Sequence, residues 1–252
     1  MIQFANKIVN RFGYQIKLEK SGFPYDIKGN KDFMDLYGLC KKYSMTSLER
    51  MFGLYQAICY IIENNIDGDF VECGVWKGGS AMMMALVLKK YGHTNRKLFL
   101  YDTFEGMSEP TELDKTAKGT EAAVLMEHQK NNKGSDTSVW CYSPLEEVKK
   151  NLLSTGYPEG QIQYIKGKVE DTLTQQLPGK LALLRLDTDW YESTRIELEV
   201  LYPFLEKKGV MIIDDFGHWE GAKKAVIEYF ESIHEHPLLQ RIDYTGRLMI
   251  KI

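Results

Sequence analysis

Leu181-Ala182-Leu183-Leu184-Arg185-Leu186-Asp187-Thr188-Asp189 decides the fold of this chain: a short, mostly apolar run that stops on two acids is how a buried strand reaches the rim of a sheet. A second run, Val210 to Ile213, stops in the same way on Asp214-Asp215. Parallel strands buried on both faces read as short continuous apolar runs, and ligands of open α/β sheets bind beyond their carboxyl ends. Four carboxylates are therefore expected at one rim. Such crowding is unfavourable unless a cation neutralises it or one member is protonated, which makes a hard-metal site the leading reading.

Outward from these strands the pattern alternates. Thr46-x-x-Glu49 has capping-box spacing before a helix that should end near Asn64-Asn65. Asp69 to Gly74 reads as a first strand, Gly78-Gly79-Ser80 opens the next helix, and Lys97 to Tyr101 is a second strand ending at Asp102. Ser108 to Gly134 is polar and expected to be a mobile substrate loop with a helix around Glu121 to Lys130. Ser143-x-x-Glu146 caps another helix, Ile162 to Ile165 is the third strand, and Asp171 starts a short helix. Ser193 to Leu205 has helical spacing, with Lys207-Lys208-Gly209 as its expected end. Glu220 to His234 forms a further helix, and Arg241 to Tyr244 with Leu248 to Ile252 flank Thr245-Gly246 as a hairpin. Five strands alternating with helices, then a hairpin, predict an α/β, Rossmann-like, mostly parallel doubly wound sheet with an antiparallel C-terminal strand. Residues 1–45 are expected to form a lid or wrapping segment, with an amphipathic helix in Met1 to Lys20, and residues 46–252 the main domain.

Bulk properties narrow the function. The 252 residues, 44% hydrophobic and 27% charged, suit one large domain. A formal charge of −3 and no Lys/Arg block argue against nucleic acid. The longest apolar run, Ala81 to Leu88, is too short to span a membrane, and no secretory leader pattern is present. Cys40, Cys59, Cys73 and Cys141 are scattered without a CxxC pair, as expected for reduced cysteines in the cytoplasm. The aromatic N-terminal region could reach a neighbouring subunit, so a homo-oligomer is expected.

Glu72-Cys73-Gly74-Val75-Trp76-Lys77-Gly78-Gly79-Ser80 has its glycines displaced from the dinucleotide pattern. Gly74 lets the chain turn and a ligand approach the backbone, while Gly78, Gly79 and Ser80 place amides at a helix N-terminus, suited to a carboxylate or a phosphate. A simple tight turn would also explain the glycines. Asp102 adds to the ligand reading, because it stands where an acid accepts hydrogen bonds from ribose hydroxyls. Asp187, Asp214 and Asp215 would give a magnesium-class ion oxygen ligands, and Asp189 is near enough to take a proton from a hydroxyl held there. Alternatively Asp187 and Asp189 only cap the next helix, although one cap needs one side chain. Trp190, Tyr191, His218 and Trp219 form either a wall for a sugar or aromatic acceptor or ordinary rim packing. His218 is the candidate base or hydrogen-bond donor to the substrate.

The run Leu184 to Thr194, then Leu201-Tyr202-Pro203 and Ile213-Asp214-Asp215-Phe216, closely resembles the macrocin O-methyltransferase (TylF/MycF) family. Val71-Glu72-x-Gly74-Val75-Trp76-x-Gly78-Gly79 and Tyr101-Asp102-Thr103-Phe104-Glu105-Gly106-Met107 carry the same resemblance, in the family's order and spacing. It implies an O-methyltransferase dependent on S-adenosylmethionine and Mg2+, acting on hydroxyls of a sugar, glycosylated natural product or surface glycan. By position, Glu72, Gly74 and Ser80 would frame the methionine part of the cofactor, and Gly78 and Gly79 would belong to the same cofactor-binding loop. Asp102 would hold its ribose, and Phe104 with Val169 and Glu170 would flank the adenine. Asp187, Asp214 and Asp215 match metal ligands, and Asp189 matches a proposed base, a role Asp187 could share. Two other classes stay open: a metal-dependent glycosyltransferase using Asp187-Thr188-Asp189 as a DxD motif, and a non-catalytic binding module.

Overall fold

Successive strand residues enter opposite cores, which is why the strands read as continuous apolar runs. In β1 (Asp69–Cys73) Phe70 faces one core, and Val71 and Cys73 face the other. In β2 (Leu98–Asp102) Leu98 and Leu100 join the first core, and Phe99 and Tyr101 the second. The computed structural model describes residues 24–252, so the helix expected within Met1 to Lys20 lies outside the described residues. The remaining strands are β3 (Ile162–Lys166), β4 (Leu181–Leu186), β5 (Leu205–Ile213), β6 (Gln240–Arg241) and β7 (Arg247–Ile250).

The sheet order is β3-β2-β1-β4-β5-β7-β6, with β1 to β5 parallel and β7 antiparallel to both of its neighbours. The chain winds from β1 out to β3 and returns to β4 on the other side of β1. Strand order therefore reverses between β1 and β4, and their carboxyl ends open the crevice where such sheets bind ligands.

Helices α1 (Tyr25–Gly29), α2 (Lys31–Cys40), α3 (Leu48–Glu63), α4 (Gly79–Lys90) and, after the short α5 (Ala122–His128), α6 (Leu145–Leu153) contribute buried residues to the first core, except α5. Helices α7 (Val169–Thr172), α8 (Tyr191–Leu201) and α9 (Glu220–Ser232) cover the opposite face. Ala122 and Met126 of α5 join Trp190, Trp219 and Ala222 in a third, small cluster. Residues 24–45 are built into the molecule, since Ile27, Phe33 and Cys40 belong to the first core.

Several local expectations shift. The cap of α3 is Ser47, whose Oγ accepts from the Arg50 amide at 3.1 Å, and not Thr46. Pro144 stands at the N-cap of α6, and Ser143 Oγ instead lies 3.4 Å from Glu147 Oε2. Helix α7 starts at Val169, ahead of Asp171. Helix α8 stops at Leu201 because Pro203 sets a 3-10 turn over Tyr202–Phe204, and Lys207, Lys208 and Gly209 fall inside β5. The segment expected to be a mobile loop is tied down by hydrogen bonds from Ala117 N to His218 O and from Glu220 N to Lys115 O, both 2.8 Å, and from Trp190 Nε1 to Ser108 O, 3.1 Å.

Candidate active site

A cavity of about 500 Å³ lies at the switch point. The end of β1 and the start of α4 line it with Glu72, Gly74, Gly79 and Ser80, β2 with Asp102, and the start of α7 with Val169 and Glu170. Beyond β4 and β5 stand Asp187, Asp189, Asp214, Asp215 and His218. Both groups of residues singled out in the sequence therefore face one space, and most of them line it.

The acid rim carries its own cations. Arg185, inside the run read above as a buried strand, is 2% exposed; its Nη1 donates to Glu72 Oε1 at 2.7 Å and Asp187 Oδ2 at 2.6 Å. Its Nη2 donates to Asp214 Oδ1 at 2.6 Å and to Thr46 Oγ1 at 3.0 Å. Arg50, from the first turn of α3, pairs with the other oxygen of Asp214 and, at 3.1 Å, with Asp243 in the β6–β7 turn. Seven carboxylates thus line the cavity, against two guanidiniums and Lys168, and acid remains in excess.

That excess shows in the titration of the acids. Burial, then the charges of Asp214 and Asp215 against the opposing pull of Arg185, hold Asp187 well above the usual carboxylate range. Burial and the charges of Asp189 and Asp214 do the same to Asp215. Burial and the charges of Asp187 and Asp214 push Asp189 up to about 7. Carboxyls whose pKa is raised by burial and by neighbouring acids are ones a cation would re-ionise.

The donor set suits a hard dication. Asp187, Asp214 and Asp215 each offer an oxygen within 4.8 Å of the others. Asp215 Oδ2 is buried with no hydrogen-bond partner among the described residues. Asp214, by contrast, already accepts from two arginines and would share its carboxylate.

At the end of β1, Gly74 has φ +81°, and a Cβ there would collide with the Asp187 carbonyl, so the β1 and β4 turns touch. Gly79 is required by its own chain, because a Cβ would meet the Tyr43 carbonyl at 2.6 Å. Asp102 braces the loop: Oδ2 accepts from Val75 N at 2.6 Å and Trp76 N at 3.1 Å, and Oδ1 from Phe104 N at 2.6 Å. Glu72 Oε2 is buried and unpartnered among the described residues, which fits an amine of the cofactor.

Some expected residues stand elsewhere. Phe104, with φ +52°, turns into the first core at 2% exposure and does not line the cavity. Gly78 is the N-cap of α4 and is off the wall too. Trp190 and Trp219 pack edge-to-face, 4.9 Å between centroids, in the third cluster, and Tyr191 points to Glu228 at 2.7 Å. Of that aromatic set only His218 lines the cavity, where it shares a 3.3 Å hydrogen bond with Tyr244. Burial and the nearby Arg50 lower the His218 pKa. The cap of α8 is none of the acids on the β4–α8 connection: Asp114 Oδ1 accepts from Tyr191 N at 2.8 Å.

The sequence model of the macrocin-O-methyltransferase (TylF) family matches residues 8–251. The chain is 34% identical over 204 residues to the 8-demethyl-8-(2,3-dimethoxy-alpha-L-rhamnosyl)-tetracenomycin-C 4'-O-methyltransferase of Streptomyces olivaceus, across 81% of this chain and 74% of the relative. It is 33% identical over 187 residues to the demethyldecarbamoylnovobiocin O-methyltransferase of Streptomyces niveus, across 74% and 67%. The solved O-methyltransferase NovP superposes with a TM-score of 0.71 at 29% identity, over 83% of this chain and 82% of that one.

A parallel sheet with one reversed strand beside its edge, and a cavity at its switch point, define a class I methyltransferase. The chain belongs to the macrocin-O-methyltransferase family and is an O-methyltransferase. The glycosyltransferase and non-catalytic readings fall with that membership. Thr188, central to the first, donates its hydroxyl to Glu197 at 2.9 Å.

Proposed function

We propose that this enzyme methylates a hydroxyl of a sugar or glycosylated small molecule, using S-adenosylmethionine as donor and Mg2+ held by Asp187, Asp214 and Asp215. The observation that carries the proposal is the shared cavity: Glu72, Gly74, Ser80 and Asp102 line one side of it and the acid rim with His218 the other. A relative named for 4'-O-methylation of a rhamnosyl-tetracenomycin supports the acceptor class.

Asp189 takes the proton of the acceptor hydroxyl as the oxygen–methyl bond forms and the sulfur–methyl bond breaks. Its raised pKa, about 7, suits a base working near neutrality. His218, held neutral by burial and Arg50, orients the acceptor oxygen, with Tyr244 fixing the ring. A bound Mg2+ would supply Lewis acidity and orientation for that hydroxyl. Glu72 and Asp102 bind and orient the donor, and orientation is a large share of the catalysis in such a transfer.

Four free cysteines support a reducing compartment, the cytoplasm. A homo-oligomer is part of the proposal, to be read by light scattering. The activity is tested by incubating the chain with S-adenosylmethionine, Mg2+ and a panel of rhamnosides and other glycosides, with S-adenosylhomocysteine release as readout. Release that needs both a glycoside and the metal is expected. Equal release in excess chelator would remove the metal from the proposal.

A further inference from the structure

All four hydrogens on the terminal nitrogens of Arg185 are engaged, two by Asp187 and Asp214, one by Glu72 and one by Thr46. Two of its three carboxylate partners thus belong to the proposed cation triad, and the third faces the donor. A guanidinium touching two ligands of a dication opposes that dication. Little solvent screens the opposition, since Arg185 is 2% and Glu72 1% exposed. Glu72 offsets it from the far side of the guanidinium, at 2.7 Å.

We propose that Glu72 is a positioning residue for the cation site: through Oε1 its charge offsets that of Arg185, so that the net field beside Asp187 and Asp214 still attracts Mg2+. The inference rests on the methyl-transfer reading above for the identity of the ion. One carboxylate then serves two ligands. Oε1 is committed to Arg185, and Oε2, buried and unpartnered among the described residues, is left for the donor. Cation affinity therefore depends on a residue that does not touch the cation.

The test is calorimetric titration of Mg2+ into the full chain without donor, at pH 8, where Glu72 is ionised because burial places its pKa at about 7. Glu72→Gln, nearly isosteric, should weaken Mg2+ about tenfold. Glu72→Gln/Arg185→Met, which removes opposite charges together, should return the affinity to within about threefold of wild type. A residue that only shapes the pocket predicts a double variant at least as weak as the single one. That outcome, or an unchanged Kd for Glu72→Gln, overturns the proposal. If melting curves show Glu72→Gln unfolded, the double variant against wild type decides by the same threefold margin. Wild-type chain that binds S-adenosylhomocysteine but no Mg2+ overturns this proposal and removes the metal from the methyl-transfer reading while leaving the transfer itself, whereas failure to bind S-adenosylhomocysteine removes the methyl-transfer reading.

Discussion

Arg185→Met is the most informative single substitution for stability. It leaves Glu72 Oε1, Asp187 Oδ2 and Asp214 Oδ1 without their donor, and only Asp214 keeps another cation, Arg50. Breaking a buried ion pair by removing one partner costs about 3–5 kcal/mol, because the remaining charge stays buried. Against a total stability of about 5–15 kcal/mol, and about 2–4 °C of melting temperature per kcal/mol for chains of this size, the loss should be roughly 10 °C. The loss should also depend on pH. Burial already raises the folded-state pKa of Glu72 and Asp187, and Arg185 opposes that rise, so its removal lifts them further. The folded state then keeps protons that the unfolded chain releases near pH 4. The penalty is smallest towards the unfolded pKa and grows as pH rises through the folded one. Differential scanning calorimetry at pH 5 and pH 8 should find the variant closer to wild type at pH 5. A variant that melts with wild type at pH 8, or loses more at pH 5 than at pH 8, would refute the electrostatic account of the rim.

Asp187→Ala and Asp215→Asn should abolish turnover and Mg2+ binding while S-adenosylhomocysteine affinity stays within about twofold, because the donor side is lined by other residues; calorimetry with each ligand separates the two. The rate should rise with pH along a limb at or below about 7, since Asp189 must be deprotonated and a bound dication lowers its pKa, and Asp189→Asn should remove that limb. Gly74→Ala, at φ +81° and against the Asp187 carbonyl, should cost at least about 1–3 kcal/mol in thermal melts and weaken donor binding, because it forces the β1 and β4 turns apart.

The strand ends and their acids were legible because a doubly buried strand carries its own pattern and Asp187, Asp214 and Asp215 interrupt it where the sheet must stop. Arg185 is a single charge in an apolar run, so its role is not legible there. The signal was present, since a guanidinium in a buried strand needs partners, but those partners lie 139, 113 and 29 residues away at Thr46, Glu72 and Asp214. Long-range satisfaction also explains the misplaced caps. Thr46 and Ser47 are both competent, and Arg185 takes the first; Asp114 caps α8 from 77 residues upstream. Phe104 lies two residues after Asp102 of the cavity wall but is turned into the core by a positive φ that local spacing does not announce. Tyr244 gave no signal, because only the docking of the β6–β7 turn, with Gly217 N donating to Thr245 O at 2.9 Å, brings it to His218.

The proposed function places a methyl donor beside an acid-held cation in one cavity. Calorimetric titration of S-adenosylhomocysteine into the full chain with Mg2+ present tests it most directly. Saturable one-to-one binding, weakened by Asp102→Ala and insensitive to nucleoside diphosphate, is the predicted result. No heat from S-adenosylhomocysteine, with saturable binding of a nucleoside diphosphate in its place, would contradict it.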